Sequence, residues 1–448
     1  MKKLLWIGDA ACPSGFARAT HEILGTLSKH YDVTVLGLNY NGDPHPYPYP
    51  IYACFPGGDT LGIGRIVWLA DRVKPDVIVI QNDGWHIPFY MQALAESKRH
   101  SHVPVVAAVA VDAKNFNGAW LKGISLAIFW TQFALDEARL GGYTGPARVI
   151  SLGVDPFYLP GDRRQARLAR KLDQILDTFI VGNVNRNQTR KRWDLTIRYF
   201  AEWVYDGMPL DQRTMDNPKT GTRSNKAIND AWLYLHTAPT GDEGVDVVAL
   251  ARYYGIGDRL ALMTPDTFYG ITEEQMRDTY RSFDVQMTTT QGEGFGLTTF
   301  EGMACGVPQI VPDWSALGEL CNGAVRLVPC TSTALNAVHS GTIGGVADEA
   351  AFVAALDDLY RNQMARRSYA ARGMARAREA RFRWPVIGQA WLGALGQVLG
   401  LGTPQDTPQD GLGSARGDEW AAGGAIPFDG PNEPSEAEQI AYLGSGRR

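Results

Sequence analysis

Cysteine is scarce: five stand in 448 residues, at 12, 54, 305, 321 and 330, and no C-x-x-C occurs. An odd number at those spacings gives no disulfide framework and points to a reducing compartment. The eight histidines form no H-E-x-x-H and no Cys/His cluster, so no protein-built metal site is expected. Long apolar runs are missing too. The run Leu4-Leu5-Trp6-Ile7 falls short of the ~7–15 residues of a signal-peptide core. No stretch approaches the ~20 residues of a membrane span, so a soluble, cytoplasmic protein with no transmembrane segment is expected. An excess of positive charge is also absent, with 43 Lys and Arg against 48 Asp and Glu. The net charge of −5 lies wholly in residues 401–448, which hold eight acids and three bases. This disfavours a globally basic nucleic-acid binder and leaves a local patch open.

What is present is strand–helix alternation, twice over. Apolar runs at Lys3–Gly8, Val33–Leu38, Val77–Gln81, Val103–Val111 and Leu126–Trp130 read as buried strands. Helical spacing falls between them at Ala17–Lys29, Ile63–Val73 and Phe89–His100. The pattern restarts with strands at Phe179–Val184, Trp232–His236, Arg259–Met263, Val285–Thr288 and Gln309–Val311. Continuous apolar strands alternating with helices predict parallel sheets covered on both faces. The expected architecture is therefore α/β, with two doubly wound Rossmann-like domains, residues 1–155 and 156–383. The tail 401–448, rich in Pro, Gly and acids, is expected to be disordered. Residues 206–229 read as a polar loop insertion.

The most informative string is Gly292–Pro308, GEGFGLTTFEGMACGVP. Its glycines sit between a strand and a helix, where exposed backbone N–H groups and the helix dipole favour an anion and a ligand can approach the backbone closely. Taken singly, Glu293 is an acid at a helix start and Glu301 a residue on a solvated face. The run Arg186, Arg190, Lys191, Arg192 places cations before a helix, where they are unfavourable unless an anion joins them. Residues 361–383 carry eight arginines and one acid, Glu379. They read as a solvated helical face, with a polyanionic acceptor as the functional alternative.

As a whole, Gly292–Pro308 resembles the signature of the retaining glycosyltransferases of family 4, which have the GT-B fold. Similar passages are Ser14–Arg18 after the first strand, Val149–Phe157 between the domains and Phe179–Leu195 at the start of the second. The resemblance implies a metal-independent enzyme, without cofactor, that moves a sugar from a nucleotide-sugar donor to an acceptor. The acceptor is open: a glycan, a lipid-linked or small molecule, or modified DNA. It implies that Glu301 binds the ribose and Glu293 the donor sugar. Backbone amides of Phe295, Gly296, Leu297 and Thr298, with Gly15, would cradle sugar and phosphate. Arg186 and Lys191 would neutralise the diphosphate, in a run where the register is ambiguous. The first domain would bind the acceptor, and the last helix, 384–400, would cross back onto it. Asp112 stands where many members have a histidine; His86, Trp85, Asp83 and Asn82 are the other acceptor-side candidates. Rival readings are a nucleotide-sugar epimerase of similar fold, a phage-type transferase acting on DNA bases, and a non-catalytic sugar-nucleotide binder.

Overall fold

The computed structural model describes residues 1–54, 58–97, 99–217, 219–241, 243–262, 270–337 and 340–401. The acidic tail from 402 onward, where disorder is expected, lies outside the described residues. The first domain runs β1 (Lys2–Asp9), α1 (Gly15–Leu27), β2 (Tyr31–Leu38), β3 (Ile51–Ala53), α2 (Ile63–Val73), β4 (Val77–Asp83), α3 (Ile87–Glu96), β5 (Val105–Ala110), β6 (Leu126–Phe129), α4 (Gln132–Leu140) and β7 (Ala147–Val149). The second begins with α5 (Arg163–Ala169), β8 (Phe179–Val184), α6 (Trp193–Tyr205), β9 (Ala231–His236), α7 (Val247–Tyr253), β10 (Leu260–Leu262) and α8 (Glu273–Arg281). It continues with β11 (Val285–Met287), α9 (Leu297–Ala304), β12 (Gln309–Asp313), α10 (Ser315–Leu320), β13 (Arg326–Ala337), β14 (Thr342–Ala347), α11 (Glu349–Arg361) and α12 (Gln363–Ala377). The helix α13 (Trp384–Val398) closes the described chain.

Each domain is built on a seven-stranded sheet, ordered β3-β2-β1-β4-β5-β6-β7 and β10-β9-β8-β11-β12-β13-β14. The order reverses between β1 and β4, and again between β8 and β11. Ligands of open α/β sheets bind outside the carboxyl ends of strands at such a switch point. Leu4–Ile7 in β1 is fully buried, as a central parallel strand covered on both faces must be.

Helix α13 returns to the first domain. Trp391 packs on Trp6 of β1 with ring centroids 5.3 Å apart. A Cβ on Gly388 would fall 2.3 Å from the Thr26 hydroxyl of α1, so glycine here lets the helices touch. The chain crosses between the domains at two adjacent places. Val154 N–H donates to the Phe382 carbonyl at 2.9 Å, and Gly153 lies beneath the Trp384 ring. One apolar core consequently runs through both domains, joining Trp6 and Trp391 to Tyr280, Phe283 and Phe300.

One element departs from the parallel pattern. β13 and β14 pair antiparallel as a hairpin at the edge of the second sheet. The sequence passage CTSTALN alternates too weakly to announce a strand, and only the pairing reveals it. Several arginines of 361–383 make contacts within the chain. Arg366 donates to the Tyr360 carbonyl and Arg372 to that of Gly323. Arg376 donates to Leu320 and Asn322 carbonyls, and Arg381 pairs with Glu379. Arg366, Arg372 and Arg376 cap carbonyls near the ends of α10 and α11, while Arg361, Arg367, Arg372, Arg378, Arg381 and Arg383 are exposed, as a solvated helical face requires.

Candidate functional site

The loops at the two switch points face each other across the cleft. On the first domain, β1 ends at Asp9, whose carboxylate accepts from Ser14 Oγ at 2.6 Å and from Asn39 at 2.9 Å. Ser14 Oγ in turn accepts the Ala17 N–H at 3.0 Å and caps α1. On the second domain, the loop after β8 carries Arg186, Arg190 and Lys191. The loop after β11 carries Glu293 and leads into α9.

The two loops of the second domain join through charge. The Lys191 ammonium donates to the Glu293 carboxylate. Arg190 Nη1 lies 3.6 Å from the other Glu293 oxygen, 3.5 Å from Asp112 Oδ2 of the first domain and donates to the Gly292 carbonyl at 3.0 Å. Burial raises the Glu293 carboxyl, but Lys191 and Arg190 together hold it below the usual carboxylate range. Burial, aided by Arg190, lowers the Lys191 ammonium to about 8. Arg186 stands on the exposed side of its loop. Burial raises the Asp9 carboxyl, and Arg186 acts across the cleft to lower it. Arg192 turns to Asp194, 2.8 Å away.

Glu301 sits in a different setting. It lies inside α9, 5% exposed, and not on a solvated face. Tyr280 OH donates to it at 2.5 Å. Arg18, from α1 of the first domain, approaches within 3.6 Å and bonds Glu273 at 2.6 Å. Burial raises the Glu301 carboxyl despite Arg18 and Tyr280.

The glycines of the string have a use that the sequence does not announce. A Cβ on Gly292 would fall 1.7 Å from the Asp112 carbonyl, and one on Gly294 3.0 Å from Ala110 Cβ. Both admit the first domain, not only a ligand. Gly15 likewise faces Leu297 at 3.2 Å. Gly296 has φ +94° and starts α9 with no side-chain cap, which leaves the Leu297 and Thr298 N–H groups without helical partners. The Phe295 ring is core, stacked on Phe300 at 4.6 Å.

The acceptor-side residues divide. Asp112 and Asp83 lie at the cleft, close enough that Asp112, after burial, helps raise the Asp83 carboxyl to about 7. His86 has both ring nitrogens engaged, Nδ1 with Asn82 at 3.0 Å and Nε2 with Trp85 Nε1 at 3.2 Å. Trp85 packs edge-on to Trp120 at 6.1 Å.

The chain is similar to known proteins in part of its sequence and in its fold. The profile of the family described as "Family 4 Glycosyltransferase in conflict systems" matches residues 258–389. The D-inositol 3-phosphate glycosyltransferase of Mycolicibacterium vanbaalenii is 30% identical over 183 residues, 39% of this chain and 34% of that relative. The chain thus spans about a third of that relative's length. The sucrose-phosphate synthase of Thermosynechococcus elongatus has a TM-score of 0.68 at 15% identity, over 89% of this chain and all of that one. HepE of Anabaena, in complex with UDP and glucose, has 0.64 at 16%, over the same shares. Residues 258–389 are thus similar to the family 4 glycosyltransferases, and the chain has the GT-B fold.

Several parts of this cleft carry no local signal in the sequence. Arg18 lies one turn beyond Ser14-Gly15, and only the fold aims it at Glu301. Tyr280 and Glu273 come from α8. A strap of alternating prolines, Asp43–Pro50, brings Tyr47 onto His21 with ring centroids 3.4 Å apart. Its alternation of ring and proline is local to the sequence.

Proposed function

We propose that the protein transfers a sugar from a nucleoside-diphosphate sugar to an acceptor with retention of anomeric configuration and without a metal ion. The second domain holds the donor and the first the acceptor. The observation that carries this is the Lys191–Glu293–Arg190–Asp112 cluster, which spans the cleft beside the open N-terminus of α9. HepE, which shares the fold, is described in complex with UDP-glucose, and that supports the donor class.

The chemistry follows from charge. As the sugar C1–O bond to phosphate breaks, positive charge grows on the sugar and negative charge on the diphosphate. Arg186, Lys191 and the Leu297 and Thr298 N–H groups stabilise the leaving oxygens where charge develops. Glu293, held ionised, faces the sugar, and Glu301 accepts from ribose hydroxyls. The acceptor hydroxyl forms the new C1–O bond, and its proton passes to the departing phosphate oxygen. Asp112, at the cleft end of the first sheet, orients hydroxyls around C1.

The test is thermal denaturation with a panel of UDP-, GDP-, ADP- and dTDP-hexoses, followed by assay of nucleoside diphosphate release with and without EDTA. The true donor at 100 times its Kd stabilises by about 2.7 kcal/mol, and EDTA leaves release unchanged. Absence of any donor-dependent shift and any release sinks the transfer reading. Metal-reversible loss sinks its metal-free form.

A further inference from the structure

The β13–β14 hairpin leaves the edge of the second sheet and docks on the first domain. Lys114 and Ile343 exchange two backbone hydrogen bonds, both 2.9 Å. Asn115 Nδ2 donates to the Gly341 carbonyl at 3.0 Å, and the Lys114 ammonium lies 4.4 Å above the Trp314 ring. At its base the hairpin rests on the loop that holds Glu293. Gly345 N–H donates to the Gln291 carbonyl at 2.8 Å, and a Cβ on Gly344 would fall 2.5 Å from Gln291 Cβ. The arm thus ties the segment after β5 to the start of the glycine string.

The register of the hairpin slips at one place that matters. Leu335 pairs with Ile343 and Ala337 with Thr342, so Asn336 is the extra residue of a bulge. Bulges break the alternation of side chains and re-aim one of them. Here Asn336, 9% exposed, turns its amide to the first domain, and Nδ2 donates to Asp112 Oδ1 at 2.8 Å. The other Asp112 oxygen faces Arg190 Nη1 at 3.5 Å. Both partners of the Asp112 carboxylate come from the opposite domain. The amide orientation is fixed by the carboxylate, because an ionised Asp112 offers acceptors only.

We propose that Asn336 is a positioning residue for transfer, and that its bulge couples domain closure to the orientation of Asp112. This rests on the transfer reading above. When the hairpin is docked, Asp112 is held between an amide donor and a guanidinium. When the domains part, both partners leave with the second domain, and the carboxylate is free to rotate and hydrate. The site is then assembled for chemistry only in the closed form.

The experiment compares Asn336→Ala, Asn336→Asp and, on the same hairpin, Leu335→Ser, with the donor identified by the panel above. Leu335 is 56% exposed, pairs with Ile343 through its backbone and has no polar side-chain atom to offer Asp112. Asn336→Ala lowers kcat by about 10- to 100-fold, the range for misplaced reacting groups, with KM for the donor within about threefold. Leu335→Ser leaves both unchanged. Asn336→Asp sets a second carboxylate against Asp112, among Arg190, Lys191, Glu293 and Asp83. Two carboxylates in contact share a proton at acid pH and repel once both ionise. Its kcat relative to wild type therefore falls steeply from pH 5 to pH 8, a profile that lost hairpin stability alone does not give. Melting temperatures taken alongside separate folding from positioning. A wild-type kcat in Asn336→Ala, or an Asn336→Asp ratio flat with pH, overturns the positioning role while leaving transfer intact. A wild-type protein that releases no nucleoside diphosphate from any donor overturns both.

Discussion

Glu293 and Glu301 come from one seventeen-residue string and are both largely withdrawn from water, yet their carboxyls are driven in opposite directions. Burial alone would raise each. At Glu293 the Lys191 ammonium and the Arg190 guanidinium outweigh it. At Glu301 the Arg18 guanidinium, 3.6 Å away, and the Tyr280 hydroxyl do not offset burial, which wins. In the proposed reaction, a carboxylate that must carry full charge beside the sugar needs paired cations, and one that accepts from ribose hydroxyls needs only the right lone pairs. The difference follows from where the second domain places its basic loop, eight residues of sequence notwithstanding.

The comparison breaks most severely at Lys191. Removing one partner of a buried ion pair strands the other charge and costs about 3–5 kcal/mol. Lys191→Ala should therefore lower the melting temperature and cut turnover by about 100- to 1,000-fold, as loss of a preorganised group at developing charge does elsewhere. A Lys191→Ala protein with wild-type turnover would show that Arg186 and Arg190 suffice for the leaving group. Glu301→Gln is milder and of a different kind. A charged acceptor becomes a neutral one, and hydrogen bonds to charged groups contribute about 1.5–3 kcal/mol. Donor affinity, read by calorimetry, should fall about 10- to 100-fold, with kcat at saturating donor nearly kept. If kcat falls while affinity holds, the roles of the two glutamates are exchanged.

How much of this was legible in the sequence depends on range. β8 and α2 coincide to the residue with the apolar run Phe179–Val184 and the helical spacing Ile63–Val73, because parallel strands buried on both faces leave continuous apolar runs and amphipathic helices leave a clear period. The site string was legible as a unit, since glycine spacing and two acids are local. What crosses the cleft was not. Asp112 meets Gly292 through its carbonyl, Arg18 meets Glu301 over nearly 300 positions, and Asn336 meets Asp112 through a bulge. None of these has a local period to betray it. The antiparallel hairpin is illegible for the same reason: β13 is largely exposed, the buried β14 holds two glycines, and the loop it docks on lies in the other domain.

A third test concerns the carboxyl on the acceptor side that burial raises furthest. Asp83 is shifted from an ordinary 3.8 to about 7 in the folded protein. Between those values the folded state keeps a proton that the unfolded chain has lost, so stability falls as pH rises from about 4 to about 7. Asp83→Asn removes that slope. The variant should match wild type near pH 4 and melt higher than wild type near pH 8. Equal differences at both pH values would mean that the Asp83 carboxyl titrates in its ordinary range.

The smallest effect is expected at Arg192, one residue from Lys191. Lys191 is 7% exposed and buried against Glu293, whereas Arg192 has φ +52° at the start of α6. That backbone turn swings its side chain to Asp194, where it forms a partly exposed pair over two positions. Such pairs contribute about 0–1 kcal/mol, and no group of the cleft depends on this one. Arg192→Ala should keep donor affinity and turnover within about twofold of wild type. The cost of the left-handed backbone comes from Cβ and is the same for arginine and alanine, so a small drop in melting temperature would register only the lost Asp194 pair. A loss of turnover comparable to that of Lys191→Ala would place the diphosphate one residue further along the loop. The contrast between the buried and the exposed cation, on which the assignment of Lys191 depends, would then fail.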